Sequence, residues 1–402
     1  MVGMAERERA VLVGVAWGGT PLPRVEAHLD ELAQLVDTAG GEVVARITQE
    51  RRSPDPTFFI GRGKVEEVAE LVAECGASVV VFDDDLSPRQ LRRLEEGVGE
   101  GVKVVDRSGV ILDIFALRAR TREAQTQVEL AQLTYLLSRL TRRWKHLSRQ
   151  AGGIGTRGVG ETQLESDRRI IRRRITMLRG RLDEIERERE VQRRRRQLLP
   201  AVALVGYTNA GKSTLFSRLT GQETLVEDRL FATLDPRVRR AELGEGLVVT
   251  VADTVGFIRK LPHHLVASFR ATLAETALAE LLVHVVDASH PEWEEQLHVG
   301  EEVLESLGVE RQRSVVAVNK IDRLDTPPVY SGESSVAISA LTGAGVDTLR
   351  DTLRRRVLAQ PGIEVLRFPA SGGEALQRAL REEHVLARRF SADGIELVVR
   401  RT

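Results

Sequence analysis

The sequence predicts an α/β protein built around a P-loop domain with a mostly parallel sheet. Three features predict it: a phosphate-loop motif after an apolar run, alternating strand-like and helix-like segments before it, and two heptad patterns separated by glycines. We expect an N-terminal α/β domain, a helical coiled-coil hairpin, the P-loop domain and a small α+β C-terminal domain, at 1–116, 117–198, 199–360 and 361–402.

Composition narrows the class of protein. Of the 402 residues, 42% are apolar, which is ordinary for a globular chain. The apolar runs are too short to span a bilayer, and the N-terminus lacks the apolar segment of a secretion signal. The one cysteine, Cys75, cannot form a disulfide within the chain. We therefore expect a cytoplasmic protein with no membrane span, and a monomer.

Charge is segregated along the chain, although the net charge is zero. Residues 139–196 contain 19 Arg and Lys against 8 Asp and Glu, a net charge of +11, so the remainder carries −11. Segregation of this size predicts that one segment binds a polyanion.

The N-terminal domain is predicted from an alternation of strands and helices, which is typical of a parallel sheet covered by helices. The predicted strands are 10–17, 42–47, 78–82 and 102–105, and the predicted helices are 23–38, 63–74 and 87–96. Two loops admit alternatives. The loop Gly61–Lys64 either binds phosphate or is a turn that begins a helix. The acidic loop Asp83–Asp85 either holds a metal ion or is solvated, while Ser87 and Pro88 are typical of a helix start.

The second domain is predicted from two apolar seams with alternating spacings of four and three. The seams are Leu133, Leu137, Leu140, Trp144 and Leu147, and then Ile171, Ile175, Leu178, Leu182 and Ile185. Between them, residues 151–160 include five glycines, too many for a helix. The pattern predicts an antiparallel helical hairpin with a glycine-rich tip.

Arginines on both sides of this tip predict contact with RNA, because phosphate contacts supply most of the affinity in such complexes. The residues expected to contact RNA are Arg149, Gly153, Arg157, Arg168, Arg169, Arg172 and Arg173. The alternative is an exposed coiled coil stabilised by ion pairs, which explains these arginines poorly because few acids lie near them.

The P-loop motif, Gly206–Ser213, has the form GxxxxGK[ST] between a predicted strand and a predicted helix. Its glycines let successive backbone N–H groups face a phosphate, Lys212 supplies charge for the outer phosphates, and the Ser213 hydroxyl suits Mg²⁺. The expected nucleotide contacts here are Gly206, Tyr207, Thr208, Asn209, Ala210, Gly211, Lys212, Ser213 and Thr214.

Two further motifs supply groups for the γ-phosphate and Mg²⁺. In LFATLD, Thr233 can offer its hydroxyl to Mg²⁺ and its N–H to phosphate. In DTVG, Asp253 can hold Mg²⁺ through water, and the Gly256 N–H can contact the γ-phosphate. We expect metal binding by Ser213, Thr233 and Asp253, catalytic roles for Lys212, Thr233 and Gly256, and further nucleotide contacts from Phe231, Ala232, Thr254 and Val255.

The motif NKID selects the base. Asp322 can accept hydrogen bonds from N1–H and the 2-amino group of guanine, whereas adenine has no donors there. Asn319 would brace the loop, the Lys320 stem would cover the base, and the backbone of Ser339 and Ala340 can contact the guanine carbonyl. With the P-loop, these motifs predict a P-loop GTPase domain that hydrolyses GTP with Mg²⁺.

Two positions bear on the rate of hydrolysis. The residue after DxxG, where a glutamine usually orients the attacking water, is Phe257. Its side chain cannot orient water, so we expect slow intrinsic hydrolysis that a partner stimulates. Asn209 has two interpretations: it helps to hold a K⁺ ion beside the phosphates, as in K⁺-assisted relatives, or it only bonds to its own loop.

These motifs make the chain similar to the HflX family of translation-factor-class GTPases over nearly its whole length. The resemblance rests on GYTNAGKS, LFATLDP and DTVGFI, on FIGRGKVEE and DDLSPRQ, and on GGIGTRGVGETQLESDRR. Val159 departs from the proline usual in the family. The resemblance implies a ribosome-associated GTPase that binds the large subunit, splits or rescues ribosomes under stress, and has an additional ATPase activity in its N-terminal domain.

Two other functions stay open at this point. One is a signalling switch that binds a protein effector and does not touch RNA. The other is a K⁺-assisted GTPase that modifies tRNA, for which the sequence lacks a cofactor-binding fingerprint. The C-terminal domain, with strands predicted at 364–368 and 395–399 and a helix at 373–383, has no assigned role.

Overall fold

The computed structural model describes residues 7–140, 159–196, 199–222, 230–235, 237–260, 276–326, 334–371, 373–391 and 394–401. The chain divides into two compact units, one of residues 1–184 and 260–268 and the other of residues 185–259 and 269–402. Within the described ranges, no helix has the length and apolar character needed to cross a membrane.

The first unit contains a four-stranded parallel sheet with the strand order β2-β1-β3-β4. The strands are β1 (Arg9–Ala16), β2 (Glu42–Glu50), β3 (Val79–Phe82) and β4 (Lys103–Asp106), and the helices between them are α1 (Leu22–Thr38), α2 (Arg62–Cys75) and α3 (Pro88–Val98). Because each crossover is a helix, β1 and β3 are buried and almost wholly apolar. The predicted α/β class is confirmed.

The two loops with open interpretations both take structural roles. Gly61 precedes α2 and donates its N–H to Gln49 Oε1 at 2.8 Å, so this loop is a helix start. Solvation of Asp83 is the wrong interpretation: Asp83 is 2% exposed and pairs with Arg107 at 2.7 Å and with Lys260, of the same unit, at 2.5 Å. A buried carboxylate requires such cations. Ser87 caps α3 as predicted.

Three helices follow β4 in this unit. The first, α4 (Arg107–Arg118), was not predicted, and it is buried over most of its surface. The others are α5 (Arg122–Arg139) and α6 (Val159–Arg196), of which the part up to Glu184 lies in this unit. The predicted seams meet in an apolar cluster of Leu130, Leu133, Leu137, Ile171, Ile175, Leu178 and Leu182. Trp144, Leu147 and residues 151–158 of the predicted glycine-rich tip lie outside the described residues. The last two residues of that predicted tip, Val159 and Gly160, are instead the first residues of α6.

The second unit contains a six-stranded sheet with the order β10-β9-β8-β5-β7-β6, in which β6 alone is antiparallel to its neighbour. The strands are β5 (Ala201–Gly206), β6 (Arg237–Glu242), β7 (Val248–Asp253), β8 (Leu281–Asp287), β9 (Ser314–Asn319) and β10 (Ser335–Ala337). The helices are α7 (Lys212–Thr220), α8 (Trp293–Ser306) and α9 (Val346–Leu358). Strand β6 was not predicted.

The same unit ends in a small antiparallel sheet with the order β11-β13-β12. Its elements are β11 (Ile363–Phe368), α10 (Gly373–Glu382), β12 (His384–Ser391) and β13 (Gly394–Arg400). Strand β12 was not predicted. Ion pairs of 2.8 Å between Arg389 and Glu245, and of 2.6 Å between Arg400 and Glu280, attach this sheet to the rest of the unit.

Candidate nucleotide-binding site

The P-loop connects β5 to α7 at the carboxyl edge of the six-stranded sheet. Because β5 lies between β7 and β8, the ends of all three parallel strands meet there, which is where open α/β sheets bind ligands. A pocket of about 470 Å³, partly open to solvent, lies at this edge. It is lined by Thr208, Asn209, Gly211, Lys212, Ser213, Thr214, Phe231, Ala232, Thr233, Thr254 and Gly256, which come from all three predicted phosphate motifs.

Lys212 is held inside the P-loop by backbone carbonyls. Its Nζ donates to the Tyr207 carbonyl at 2.8 Å and to the Gly206 carbonyl at 3.2 Å, and the side chain is buried. Burial lowers the pKa of Lys212 to about 8, although the nearby Asp253 carboxylate opposes the shift. Its hydrogen bonds go to neutral carbonyls, and phosphate oxygens would replace these with charged acceptors.

Three oxygens of the predicted metal site converge. Ser213 Oγ donates to Asp253 Oδ2 at 2.8 Å, Thr233 Oγ1 lies 3.1 Å from the same oxygen, and the two hydroxyls are 2.9 Å apart. Oxygen ligands at right angles, each about 2.1 Å from Mg²⁺, lie about 3 Å apart, so the 2.9 Å between the Ser213 and Thr233 hydroxyls fits two ligands of an octahedral site. Asp253 Oδ2 lies beside both hydroxyls, where a carboxylate can accept a hydrogen bond from a water ligand. Asp253 is fully buried, and its Oδ1 has no hydrogen-bond partner among the described residues.

Asn319 connects the base-reading motifs to the P-loop. Its Nδ2 donates to the Ala210 carbonyl at 2.8 Å, and its Oδ1 accepts the Ala340 N–H at 2.9 Å. A Cβ at Gly211 would lie 2.2 Å from Asn319 Nδ2, so a glycine is required for this approach. The predicted bracing role of Asn319 corresponds to these two bonds.

The other base-reading residues are arranged around an exposed carboxylate. Asp322 is exposed, and its Oδ1 accepts a hydrogen bond from the buried Ser339 hydroxyl. Lys320 adopts a left-handed φ of 63° and pairs with Asp287 at 2.7 Å, which fixes its stem beside the motif. The arrangement exposes one carboxylate, the type of acceptor that the N1–H and 2-amino donors of guanine need.

The segment after β7 is attached to the P-loop through its backbone. The Phe257 N–H donates to the Gly206 carbonyl at 2.9 Å, and the Thr208 N–H donates to the Phe257 carbonyl at 2.8 Å. A Cβ at Gly256 would lie 2.8 Å from Thr208 Cα and 2.9 Å from Lys212 Nζ. Only glycine therefore allows the Gly256 backbone to approach the phosphate pocket this closely.

Comparisons with known proteins identify the family. Residues 26–116 match the family described as GTP-binding GTPase N-terminal, 118–196 match GTP-binding GTPase Middle Region, and 201–320 match 50S ribosome-binding GTPase. GTPase HflX of Escherichia coli (strain K12) is 46% identical over 92% of this chain and 89% of its own. The chain belongs to the HflX family. GTPase HflX of Caldanaerobacter subterraneus is 44% identical over 98% of this chain and 90% of its own. Among solved structures, the GDP complex of SsGBP is 26% identical over 87% of this chain and 98% of its own, with a TM-score of 0.48.

The resemblance to the HflX family and the GTP-hydrolysing activity are thus confirmed. Two of the remaining residues predicted to contact the nucleotide are Tyr207 and Thr254. Tyr207 and Thr254 direct their side chains inward: the Tyr207 hydroxyl accepts the Arg259 N–H at 2.9 Å, and Thr254 Oγ1 donates to the Leu204 carbonyl at 2.7 Å. In this chain, the contacts of these two residues with a nucleotide are therefore left to their backbones.

The predicted RNA-binding residues are described in part. Arg149, Gly153 and Arg157 lie outside the described residues. On α6, Arg168 is half-buried, while Arg169, Arg172 and Arg173 are exposed. No ion pair joins these three exposed arginines to an acid within the described part of the chain. Their neighbour Arg174, in contrast, forms two hydrogen bonds to Glu129, at 2.6 and 2.9 Å.

The side chains that support the DxxG segment were not predicted from the sequence. Arg259 pairs with Glu292 at 2.8 Å, and His284 of β8 packs against Phe257. The one available signal for His284 was a polar residue inside an otherwise apolar run, LLVHVV.

We expect GDP binding to take up a proton at and above pH 8. The pKa of Lys212 is about 8 in the nucleotide-free chain, and phosphate oxygens raise it by favouring the charged ammonium. Because the complex then holds more protons than the free protein, the affinity for GDP falls as the pH rises above this value. Calorimetric titration in two buffers of different ionisation enthalpy measures the uptake. Lys212→Arg, which keeps the charge and does not titrate, is the control, and equal uptake by both proteins contradicts the assignment.

Proposed function

We propose that this HflX-family GTPase binds the large ribosomal subunit in its GTP state and splits or rescues ribosomes. The contacts are made by arginines of the predicted helical hairpin at 117–198, which we call the arm. The observation that supports this most directly is the set Arg169, Arg172 and Arg173, exposed on α6 with no acid paired to them among the described residues. Exposed arginines without acidic partners are suited to phosphate oxygens, which account for most of the affinity for RNA. The match of residues 201–320 to a family described as 50S ribosome-binding GTPase supports the choice of subunit.

Within the pocket, we propose that Ser213, Thr233 and Asp253 hold Mg²⁺, which supplies positive charge to the β- and γ-phosphates. Lys212 exchanges its two backbone carbonyls for phosphate oxygens, and the Gly256 N–H donates to the γ-phosphate. These groups bind and neutralise the phosphates. A water-orienting group is missing from the predicted position, because Phe257 is apolar and only 2% exposed.

The competing function is a signalling switch whose effector is a protein. That reading leaves the exposed arginines of α6 without a role, whereas ribosome binding uses them. Cytoplasmic location, the monomeric state and an ATPase activity of the N-terminal domain stay predictions.

Reversing the charge of the arm tests the proposal. We expect Arg169→Glu, Arg172→Glu and Arg173→Glu, combined in one variant, to abolish cosedimentation with large subunits in a non-hydrolysable GTP analogue. At salt concentrations low enough for the variant to retain binding, losing three phosphate contacts should reduce the log–log slope of affinity against salt by about 2 to 3. Wild-type binding should be weaker with GDP.

The matched control for charge is Arg179→Glu, Arg181→Glu and Arg187→Glu, which changes the charge of the same helix equally at exposed positions. If both triple variants bind subunits like the wild type, the arm does not bind RNA and the signalling switch is favoured. If the wild type binds equally well with GDP and with the analogue, binding does not depend on the GTP state, contrary to the proposal.

We expect purified large subunits to raise the rate of GTP hydrolysis at least severalfold. The physical reason is the position of Phe257: the isolated pocket has phosphate-binding groups but no side chain there to orient water. Phosphate release measured with Mg²⁺, with large subunits, small subunits or neither, gives the comparison. An unchanged rate with large subunits rules out stimulation by the ribosome.

We propose further that Asn209 helps to hold a K⁺ ion beside the phosphates. Asn209 lines the pocket. Its left-handed φ of 60° turns the P-loop backbone at this residue. We expect faster hydrolysis in KCl than in NaCl at equal ionic strength, and we expect Asn209→Ala to remove the difference while retaining GDP binding. Equal rates of the wild type in the two salts contradict this role.

A further inference from the structure

The Phe257 side chain is turned away from the phosphate pocket and into the protein. Two hydrogen bonds fix its backbone on the P-loop side, to the carbonyl of Gly206 and from the N–H of Thr208. The benzyl group is 2% exposed, so it is held on the opposite side by packing alone. What it packs against therefore decides how firmly the adjoining Gly256 is positioned.

The partner of the Phe257 ring is the imidazole of His284. The ring centroids are 6.4 Å apart and the planes meet at 87°, an edge-to-face arrangement that aromatic pairs favour. His284 lies on β8, between Val205 of β5 and Val316 of β9 in the sheet, and is 2% exposed. It therefore sits in the rigid centre of the sheet, while Phe257 belongs to the segment that leads out of the pocket.

Helix α8 lies against both rings, through Gly300. A Cβ at Gly300 would lie 2.5 Å from His284 Nε2 and 3.3 Å from the Phe257 ring. A glycine inside a helix is less stable than an alanine would be there. The helix thus leaves a narrow slot that the flat imidazole occupies between Gly300 and Phe257.

Histidine is an unfavourable choice for this slot if packing is its only role. Its Nε2 has no hydrogen-bond partner among the described residues, and a buried polar atom in that state destabilises the folded protein. Burial and the nearby Lys212 charge lower the pKa of His284 to about 4, so the ring is neutral at physiological pH. Leucine would fill a similar volume with no polar atom to leave unsatisfied.

We propose that His284 is a positioning residue for GTP hydrolysis: its ring holds Phe257 inside the protein and thereby fixes the Gly256 N–H at the γ-phosphate. The coupling is short, because Gly256 and Phe257 are adjacent and Phe257 is already attached to the P-loop by its backbone. This inference rests on the proposed role of Gly256 and is independent of ribosome binding. Under this proposal Phe257, which cannot orient the attacking water, has a structural function instead.

The test separates catalysis from stability with His284→Leu in the full chain. Leucine fills the space and removes the unsatisfied nitrogen, so we expect an equal or higher melting temperature. Without the edge-to-face ring contact, we expect kcat for intrinsic GTP hydrolysis to fall about tenfold or more, because small displacements of a positioned group are costly in rate. KM for GTP and the affinity for GDP should change less than about twofold, since the groups that dominate binding are untouched.

The matched control is Val286→Ala. Val286 lies two residues further along β8, on the same face, and packs with Leu297 of α8 rather than with Phe257. We expect it to lower the melting temperature, by removal of buried methyl groups, and to keep kcat. His284→Leu with wild-type kcat overturns the inference, and so does an equal loss of kcat in both variants.

Gly256→Ala distinguishes this inference from the proposed function on which it rests. Its Cβ would collide with Thr208 and Lys212, so hydrolysis should be lost. If Gly256→Ala is inactive while His284→Leu is fully active, the positioning role fails and the role of Gly256 stands. If Gly256→Ala hydrolyses GTP normally, the role of Gly256 fails, and the inference about His284 fails with it.

Discussion

The close approach of the DxxG backbone to the P-loop is the constraint on which the rest of the site depends. It requires a residue without a side chain at Gly256, because a Cβ there would meet Thr208 and Lys212 at less than 3 Å. Given that glycine, β5 and β7 can end side by side with Asp253, Ser213 and Thr233 within hydrogen-bonding distance of one another. The groups expected to bind the phosphates and those that fit Mg²⁺ thus meet at one edge of the sheet.

Asn319 connects the P-loop to the base-reading side. It is 2% exposed, and its amide donates to the Ala210 carbonyl of the P-loop and accepts the Ala340 N–H. Each of these two backbone groups thus has its hydrogen bond from Asn319. Removing such a side chain leaves buried backbone groups unsatisfied at both ends, which costs more than the bonds contribute when intact. The P-loop and the segment at Ala340 that is predicted to contact the base are therefore linked through one amide, which the spacing of the motifs along the sequence does not reveal.

Motifs whose chemistry is local could be predicted from the sequence, and so could strands buried on both faces. Gly206–Ser213 and the apolar strands β5, β8 and β9 are examples, because each is recognisable in a window of a few residues. The strands β6 and β12 were missed because they lie at sheet edges and carry several arginines, which conceals their alternation. Helix α4 was missed for the opposite reason: it is buried on most sides and has no polar face to mark a helical period.

Contacts between distant segments could not be predicted in this way. The pairing of Phe257 with His284 depends on the order of strands in the sheet and on the space left by Gly300, none of which is encoded in a local pattern. The same holds for Asp83. Its position at the end of a strand indicates solvent exposure, but the cations Arg107 and Lys260, which come from other parts of the chain, make its burial possible.

A buried Phe257 also limits how the site can be completed. Exposing its side chain would cost about 1.5 to 3 kcal/mol in lost apolar burial, in addition to the contact with His284. This residue therefore has no favourable route into the pocket, and a residue that orients water must come from elsewhere in this chain or from a bound partner. The nucleotide-binding groups, in contrast, are already assembled within the second unit. If the large subunit supplies that residue, as in the proposed function, hydrolysis waits for subunit binding, and the subunit rather than the pocket determines how long GTP stays bound.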